Sequence, residues 1–211
     1  MPLGECVMQG VAIHGRGALA AALLLTMPAA MGAALVPGPY VTAFGSTADL
    51  EVNGPATEGG GFSASGEGYG VALGSLAPVG NGAFGVELEI SDADITGSGA
   101  VENGAGNASL TLQSDYGYGA SAVLGGFFGN ILGYVRAGYR WQRYELRVDD
   151  AGGSAGADEI FHGVRAGIGA AVPLYRYSVS LRVDVDRTFY NDKRGLEMDE
   201  DRFTIGLAYT F

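Results

Sequence analysis

A chain of 211 residues is long enough for a single domain, and its 37 glycines argue against a mainly helical fold, because glycine weakens helix interiors. The glycine content instead favours a β protein. A net charge of −11, with only 12 lysines and arginines that form no basic cluster, excludes a nucleic-acid-binding role, since phosphate binding needs a basic face.

Residues 1–33 are predicted to form a cleaved signal peptide. An apolar run, 18–30, follows Arg16 and ends in small residues, which is the layout of a secretory leader. An uncleaved transmembrane helix is the alternative, but Pro28 interrupts the run, which is shorter than the roughly 20 residues that a helical span needs. The single cysteine, Cys6, precedes the run and is expected to form neither a disulfide nor a lipid anchor.

After the leader, eight segments alternate apolar residues with polar or small ones at a period of two, which is the pattern of a strand with two different faces. In the last segment, 203–211, every odd-numbered residue is large and apolar, and every even-numbered one is small or hydroxylated. Residues 178–189 also alternate, with Val179, Leu181, Val183, Val185 and Phe189 on one face and Ser180, Arg182, Asp184, Asp186 and Thr188 on the other. The other six predicted strands are about 38–48, 67–77, 83–92, 113–125, 131–145 and 160–172.

The connections between these strands alternate in length. Three are short, at 78–82, 126–130 and 173–176, and four are predicted to be long solvated loops, at 49–66, 93–112, 146–159 and 191–200. Short turns at one end and long loops at the other are typical of a barrel that crosses a bilayer, where closure removes unpaired strand edges from lipid. The sequence therefore predicts an all-β fold, an eight-stranded antiparallel up-and-down transmembrane β-barrel over 38–211.

Alternation alone does not say which face points inward, so a secreted lipocalin-like carrier is an alternative to a membrane barrel. The polar face carries many glycines, as a narrow lumen requires, and its charges nearly cancel. Buried charges are tolerated when they are paired and hydrogen-bonded, so we predict an interior network. Its eight members are Glu87, Glu89, Arg136, Arg140, Arg165, Arg182, Asp184 and Asp186.

Aromatic residues gather near both ends of the predicted strands, as in the two interfacial belts of membrane barrels. The belt near the short turns is expected to contain Phe84, Phe127, Phe128, Tyr175, Tyr209 and Phe211. The belt near the long loops is expected to contain Tyr69, Tyr116, Trp141, Tyr144, Phe161, Phe189 and Phe203.

With these features the chain resembles the small outer-membrane β-barrels of the OmpA transmembrane-domain, OmpX and opacity-protein type. The resemblance covers about 38–211 and includes the terminal aromatic pair of the last strand, Tyr209 and Phe211. It implies that the barrel-assembly machinery reads these two residues, and that the protein lies among outer-membrane lipid and lipopolysaccharide of a Gram-negative cell. Fold resemblance does not by itself assign a function.

The sequence offers no catalytic constellation, and no enzyme activity, cofactor or metal is expected. His162, the only histidine after the leader, has no serine two residues on, so a structural interfacial role is predicted for it. The acidic residues Asp192 and 199–201 lack the ligand spacing of a calcium loop and are predicted to be solvated.

We therefore expect a monomer with a structural or surface-interaction role, in envelope integrity, adhesion or recognition by a host or phage. A lipid-modifying enzyme and a narrow pore are the alternatives, although an eight-stranded lumen is about filled by side chains.

Overall fold

A computed structural model describes residues 37–53, 62–103, 106–150, 153–174, 178–192 and 197–211. These residues form eight antiparallel strands that close into one barrel, with each strand paired to the next and β8 paired to β1. The strands are β1 Pro39–Asn53, β2 Phe62–Val79, β3 Gly82–Asn103, β4 Gly106–Phe128, β5 Ile131–Asp150, β6 Gly153–Pro173, β7 Val179–Tyr190 and β8 Glu197–Thr210. The predicted fold class and all eight predicted strands are thus confirmed. The predicted leader and Cys6 lie outside the described residues.

Two of the predicted short turns are two-residue connections. Gly80 and Gly129 have φ angles of 57° and 62°, in the left-handed region where only glycine is free of steric strain. Each stands first in its turn, Gly80 between β2 and β3 and Gly129 between β4 and β5, as hairpins of this length require. We call this end of the barrel the turn end and the opposite end the loop end.

The strand register sets the width of the barrel. Starting at Tyr40, directly paired residues lead around the barrel and return to β1 at Leu50, ten residues further along, by way of Gly74, Glu87, Ser121, Gly138, Arg165, Thr188 and Glu200. With a rise of about 3.3 Å per residue and a strand spacing of about 4.8 Å, this stagger corresponds to a strand tilt of about 40° and a barrel radius of about 8 Å. Side chains fill a cylinder of this width.

The outward face is apolar over the part of the barrel nearer the turn end. Leu88, Ile168 and Leu207 all point away from the barrel, and each is more than half exposed. A continuous exposed apolar band of this kind is unfavourable in water and is typical of a surface that contacts lipid. This orientation rules out the secreted carrier with an apolar cavity, since the apolar face of the strands is outside. Among the described residues, no helix is long and apolar enough to span a membrane.

The polarity of the two faces inverts toward the loop end. In β3 the outward face passes from Ile90 to Asp94, while the inward face passes from the buried Glu89 to the buried Ile95. Beyond this level the barrel is polar outside and apolar inside, as in a soluble β protein. The strands therefore continue past the apolar band as hairpins that extend into the aqueous phase.

This inversion corrects the predicted long loops. Most of 93–112 and 146–159 is strand rather than loop, and β1, β2 and β8 also extend into the predicted loop segments. Their glycine, serine and acidic residues resemble a loop composition, yet the backbone pairs with its neighbours over almost the full length. Composition predicted loops here, whereas the backbone forms paired strands.

The predicted aromatic belts are also wrong in part. Tyr144 and Phe161, expected at the lipid interface, are buried inside the barrel at the loop end, and Phe127 packs inside at the turn end. The outward-facing members of the predicted belts include Phe84, Phe128, Tyr209 and Phe211 at the turn end, and Tyr69, Tyr116 and Phe189 toward the loop end. Tyr175 lies outside the described residues.

Candidate functional site in the barrel interior

The interior of the barrel has three zones along its axis, apolar at both ends and charged between. The turn-end cluster consists of Ala83, Val123, Leu132, Tyr134 and Ala171, with Leu76 and Phe127 packed against it. The loop-end cluster is larger and consists of Ala48, Leu50, Val52, Ala64, Ala93, Ile95, Leu112, Tyr144, Phe161, Tyr190 and Met198, with Phe62 and Leu146 packed against it. The charged zone is therefore enclosed between two apolar clusters.

The charged zone, which we call the charge network, contains ten buried charged side chains of the described part of the chain. Eight are the predicted members, Glu87, Glu89, Arg136, Arg140, Arg165, Arg182, Asp184 and Asp186, and the structure brings all of them together. The other two are Glu200 and Arg202 of β8. Five arginines thus face five carboxylates, and the formal charge inside the barrel is zero.

The last strand predicted from the sequence begins at Phe203 and therefore excludes Glu200 and Arg202. Both have the same parity as the inward-facing Thr204, which is the signal that would have found them. The prediction that Glu200 is a solvated loop residue is wrong. Its carboxylate accepts hydrogen bonds from the hydroxyls of Tyr190 at 2.6 Å and Tyr144 at 3.3 Å.

Glu89 is the central acceptor of the charge network. Its Oε1 atom lies 2.7 Å from a guanidinium nitrogen of each of Arg140, Arg165 and Arg202. These arginines come from β5, β6 and β8, so one carboxylate on β3 ties together strands from different parts of the barrel wall. Charge-assisted bonds of this kind are among the strongest in proteins.

A second centre forms around Glu87 and Asp184, nearer the turn end. Arg136 Nη2 lies 2.7 Å from Glu87 Oε1 and 3.2 Å from Asp184 Oδ1. Arg182 donates to Glu87 Oε2, which also accepts a 2.8 Å hydrogen bond from the hydroxyl of Tyr40. The guanidinium of Arg182 lies over the Tyr40 ring at 5.4 Å and the Tyr134 ring at 5.3 Å. Aromatic side chains thus connect the charge network to the turn-end cluster.

Glycines on the inward face of β6 make room for these groups. A Cβ atom at Gly167 would lie 2.1 Å from Asp186 Oδ1, and one at Gly169 would lie 2.5 Å from Asp184 Oδ1. Both distances are far below van der Waals contact. The glycines in the polar face therefore reflect a narrow lumen, as the sequence predicted.

Comparison with known proteins assigns the family. The model of the outer membrane protein beta-barrel domain matches residues 17–211, almost the whole chain. The protein belongs to this family. Membership supports a location in the outer membrane of a Gram-negative cell. None of the curated proteins matches the chain.

Solved structures similar to this family member include three outer-membrane or surface proteins. Neisserial surface protein A shares 18% identity, covering 82% of this chain and 97% of its own, with a TM-score of 0.49. OprG from Pseudomonas aeruginosa shares 12% identity, covering 84% of this chain and 98% of its own, with a TM-score of 0.48. Ail, the attachment invasion locus protein of Yersinia pestis, shares 11% identity, covering 82% of this chain and 100% of its own, with a TM-score of 0.45.

His162 lies on the outward face of this outer-membrane barrel, toward the loop end. Its Nδ1 atom is 2.6 Å from the Tyr139 hydroxyl and 3.0 Å from Asn191 Nδ2. Ser121 and Ser180 are buried inside the barrel and so lie across the wall from this histidine. In the described part of the chain, no group of three or more histidine, cysteine or acidic side chains is placed to hold a metal ion.

The predicted assembly residues lie at the turn end of β8. Tyr209 and Phe211 both point outward, and their rings make an edge-to-face contact with centroids 5.2 Å apart. Phe211 is 74% exposed. The pair is therefore accessible from the membrane side of the barrel.

Proposed function

We propose that this protein is a non-conducting outer-membrane barrel that acts at the cell surface, in envelope structure or in contact with other surfaces, and that it works as a monomer without enzymatic activity. The observation that carries the proposal is the filled interior. Ten charged side chains and two apolar clusters occupy a cylinder about 8 Å in radius, which supports a function outside the lumen.

The surface that faces outward at the loop end supports this role. In outer-membrane barrels the long connections are extracellular. On the extended strands β8 and β1, carboxylates stand directly opposite each other at Asp49 with Asp201 and at Glu51 with Asp199. Such like-charge pairs cost about 0.2–1 kcal/mol each, and the single cation Arg187 contacts one acid of each pair, at 3.4 Å from Asp201 Oδ1 and 3.8 Å from Asp199 Oδ2. A surface that keeps these unfavourable acidic pairs is suited to binding a basic partner on a host cell or phage.

Binding of cells to a basic surface tests this proposal. Cells that display the full chain are expected to adhere to polylysine-coated beads more than cells without it, with adhesion that falls as salt rises. The variant Asp49→Asn with Glu51→Gln should lose part of this adhesion. A matched control, Glu67→Gln with Asp115→Asn, changes two exposed acids that lie on different strands, β2 and β4, and do not face each other. Equal adhesion by both variants would contradict a role for the β8–β1 surface.

Conductance measurements test the filled interior. The purified barrel, inserted into a planar lipid bilayer, is expected to give no single-channel steps, because the charge network and both clusters block the lumen. Regular steps of constant size that require the protein would support the narrow pore instead.

We further propose that 1–33 direct export and are removed, and that Tyr209 and Phe211 are read by the barrel-assembly machinery. Phe211→Ala should lower the amount of folded barrel in the outer membrane several-fold, measured by heat-modifiable gel mobility. Phe128→Ala is the control, because Phe128 is equally exposed at the same end of the barrel, 75% against 74% for Phe211. An equal loss in both variants would count against a specific assembly signal.

A further inference from the structure

Several polar atoms inside the charge network have no hydrogen-bond partner among the described residues. They include the Nε atoms of Arg136 and Arg202 and the hydroxyl oxygen of Thr204. A buried polar group without a partner costs about 1–3 kcal/mol, and more when it is charged. Native proteins therefore rarely leave such atoms unsatisfied, and bound water is the usual partner.

These three residues line one cavity. It lies in the middle of the charge network, has a volume of about 10 Å³, and is also lined by Glu87, Glu89 and Ala72. A volume of this size is about the minimum that holds one water molecule and is too small for a larger organic ligand. The three residues that carry these unsatisfied atoms thus share one cavity.

The charge balance indicates what kind of ligand fits. Five buried arginines already face five buried carboxylates, so a bound cation or anion would leave a net charge in a site without bulk water. The ligand must be neutral, must accept from a guanidinium Nε–H, and must be able to bond with a hydroxyl. Water meets all three conditions.

We propose that this cavity is a water-binding site, in which one ordered water molecule completes the hydrogen bonds of Arg136, Arg202 and Thr204. The water is an integral part of the charge network. It reduces the cost of enclosing five ion-paired arginines in a barrel that has too little width for further polar side chains.

Solution NMR of the refolded full chain in detergent micelles, with ¹⁵N-labelled arginine, tests the site. Magnetisation transfer from water to the Nε–H groups of Arg136 and Arg202 is expected in the unmodified protein. Absence of transfer at both groups would overturn the proposal, and this result needs no variant. Chloride, titrated as sodium chloride against sodium gluconate, should leave both resonances unchanged. A saturable chloride-dependent shift would show that the site holds an anion instead.

Two variants sharpen the test. Ala72→Val adds two carbon atoms at the cavity wall and should abolish the transfer, whereas Ala122→Val adds the same atoms on the lipid-facing side and should leave it intact. Thr204→Val keeps the side-chain volume and removes the hydroxyl, so the transfer should weaken without loss of the fold. Full transfer in both folded variants would contradict a water bound at this cavity.

Discussion

Replacing Glu89 by glutamine removes one negative charge from the centre of the charge network. The side chain keeps its size, but it leaves five buried arginines facing four carboxylates. Glutamine offers only a neutral amide oxygen, so all three bonds at 2.7 Å lose their ionised acceptor, while the arginines remain charged donors. Removing one partner of a buried ion pair costs about 3–5 kcal/mol, because the opposite charge is left buried without compensation.

We therefore expect Glu89→Gln to lower the free energy of unfolding by about 3–5 kcal/mol. Urea unfolding of the barrel in lipid vesicles measures this change, with the fluorescence of Trp141, the single tryptophan, as the probe. Glu67→Gln is the control, because Glu67 is an exposed acid on the outward face of β2, where a change of less than about 0.5 kcal/mol is expected.

A double variant separates charge balance from the loss of hydrogen bonds. Glu89→Gln combined with Arg202→Gln restores equal numbers of buried positive and negative groups, so its loss should be smaller than the sum of the two single losses. If Glu89→Gln is no more damaging than Glu67→Gln, or if the two losses simply add, the network is not held together by its charge balance.

Three further predictions concern the wall and the surface of the barrel. Gly167→Ala should lower the free energy of unfolding by about 1–3 kcal/mol, because its Cβ would lie 2.1 Å from Asp186 Oδ1, whereas Gly126→Ala, where no atom lies closer than 3.9 Å, should change it little; equal urea midpoints would refute this. Ile205→Arg places a charge on the lipid-facing side and should cost about 2–4 kcal/mol in vesicle unfolding, and an unchanged midpoint would mean that this position faces water. His162→Ala should leave the acyl composition of lipid A unchanged in mass spectra, and an altered composition would support the lipid-modifying enzyme.

Strand β8 shows how far the sequence predicts the interior of the barrel. Alternation over 203–211 correctly placed Ile205 and Leu207 outside, because large apolar residues recur at every second position. The same parity continues to Arg202 and Glu200, but there the outward residues are aspartates, so the pattern looked like the start of a loop. The sequence showed which residues of β8 face inward. It did not show at which residue the lipid-facing surface ends and the water-facing surface begins.

The predicted charge network illustrates a second limit. Period and charge counts identified eight inward members, yet they do not say which arginine meets which carboxylate. Glu89 contacts arginines that lie 51, 76 and 113 residues away in the chain, and these contacts depend on the stagger of the closed barrel. A shift of one residue in register would turn every side chain of a strand to the opposite face.

The sequence by itself determined the strand count, the turns at the turn end and the apolar face, because these follow from a period of two and from local backbone preferences. Only the tertiary structure decided the partners within the charge network, the burial of Glu200, Tyr144 and Phe161, and the extension of the hairpins beyond the membrane. These features depend on barrel stagger and on distance from the bilayer, and neither is a property of any short segment of the chain.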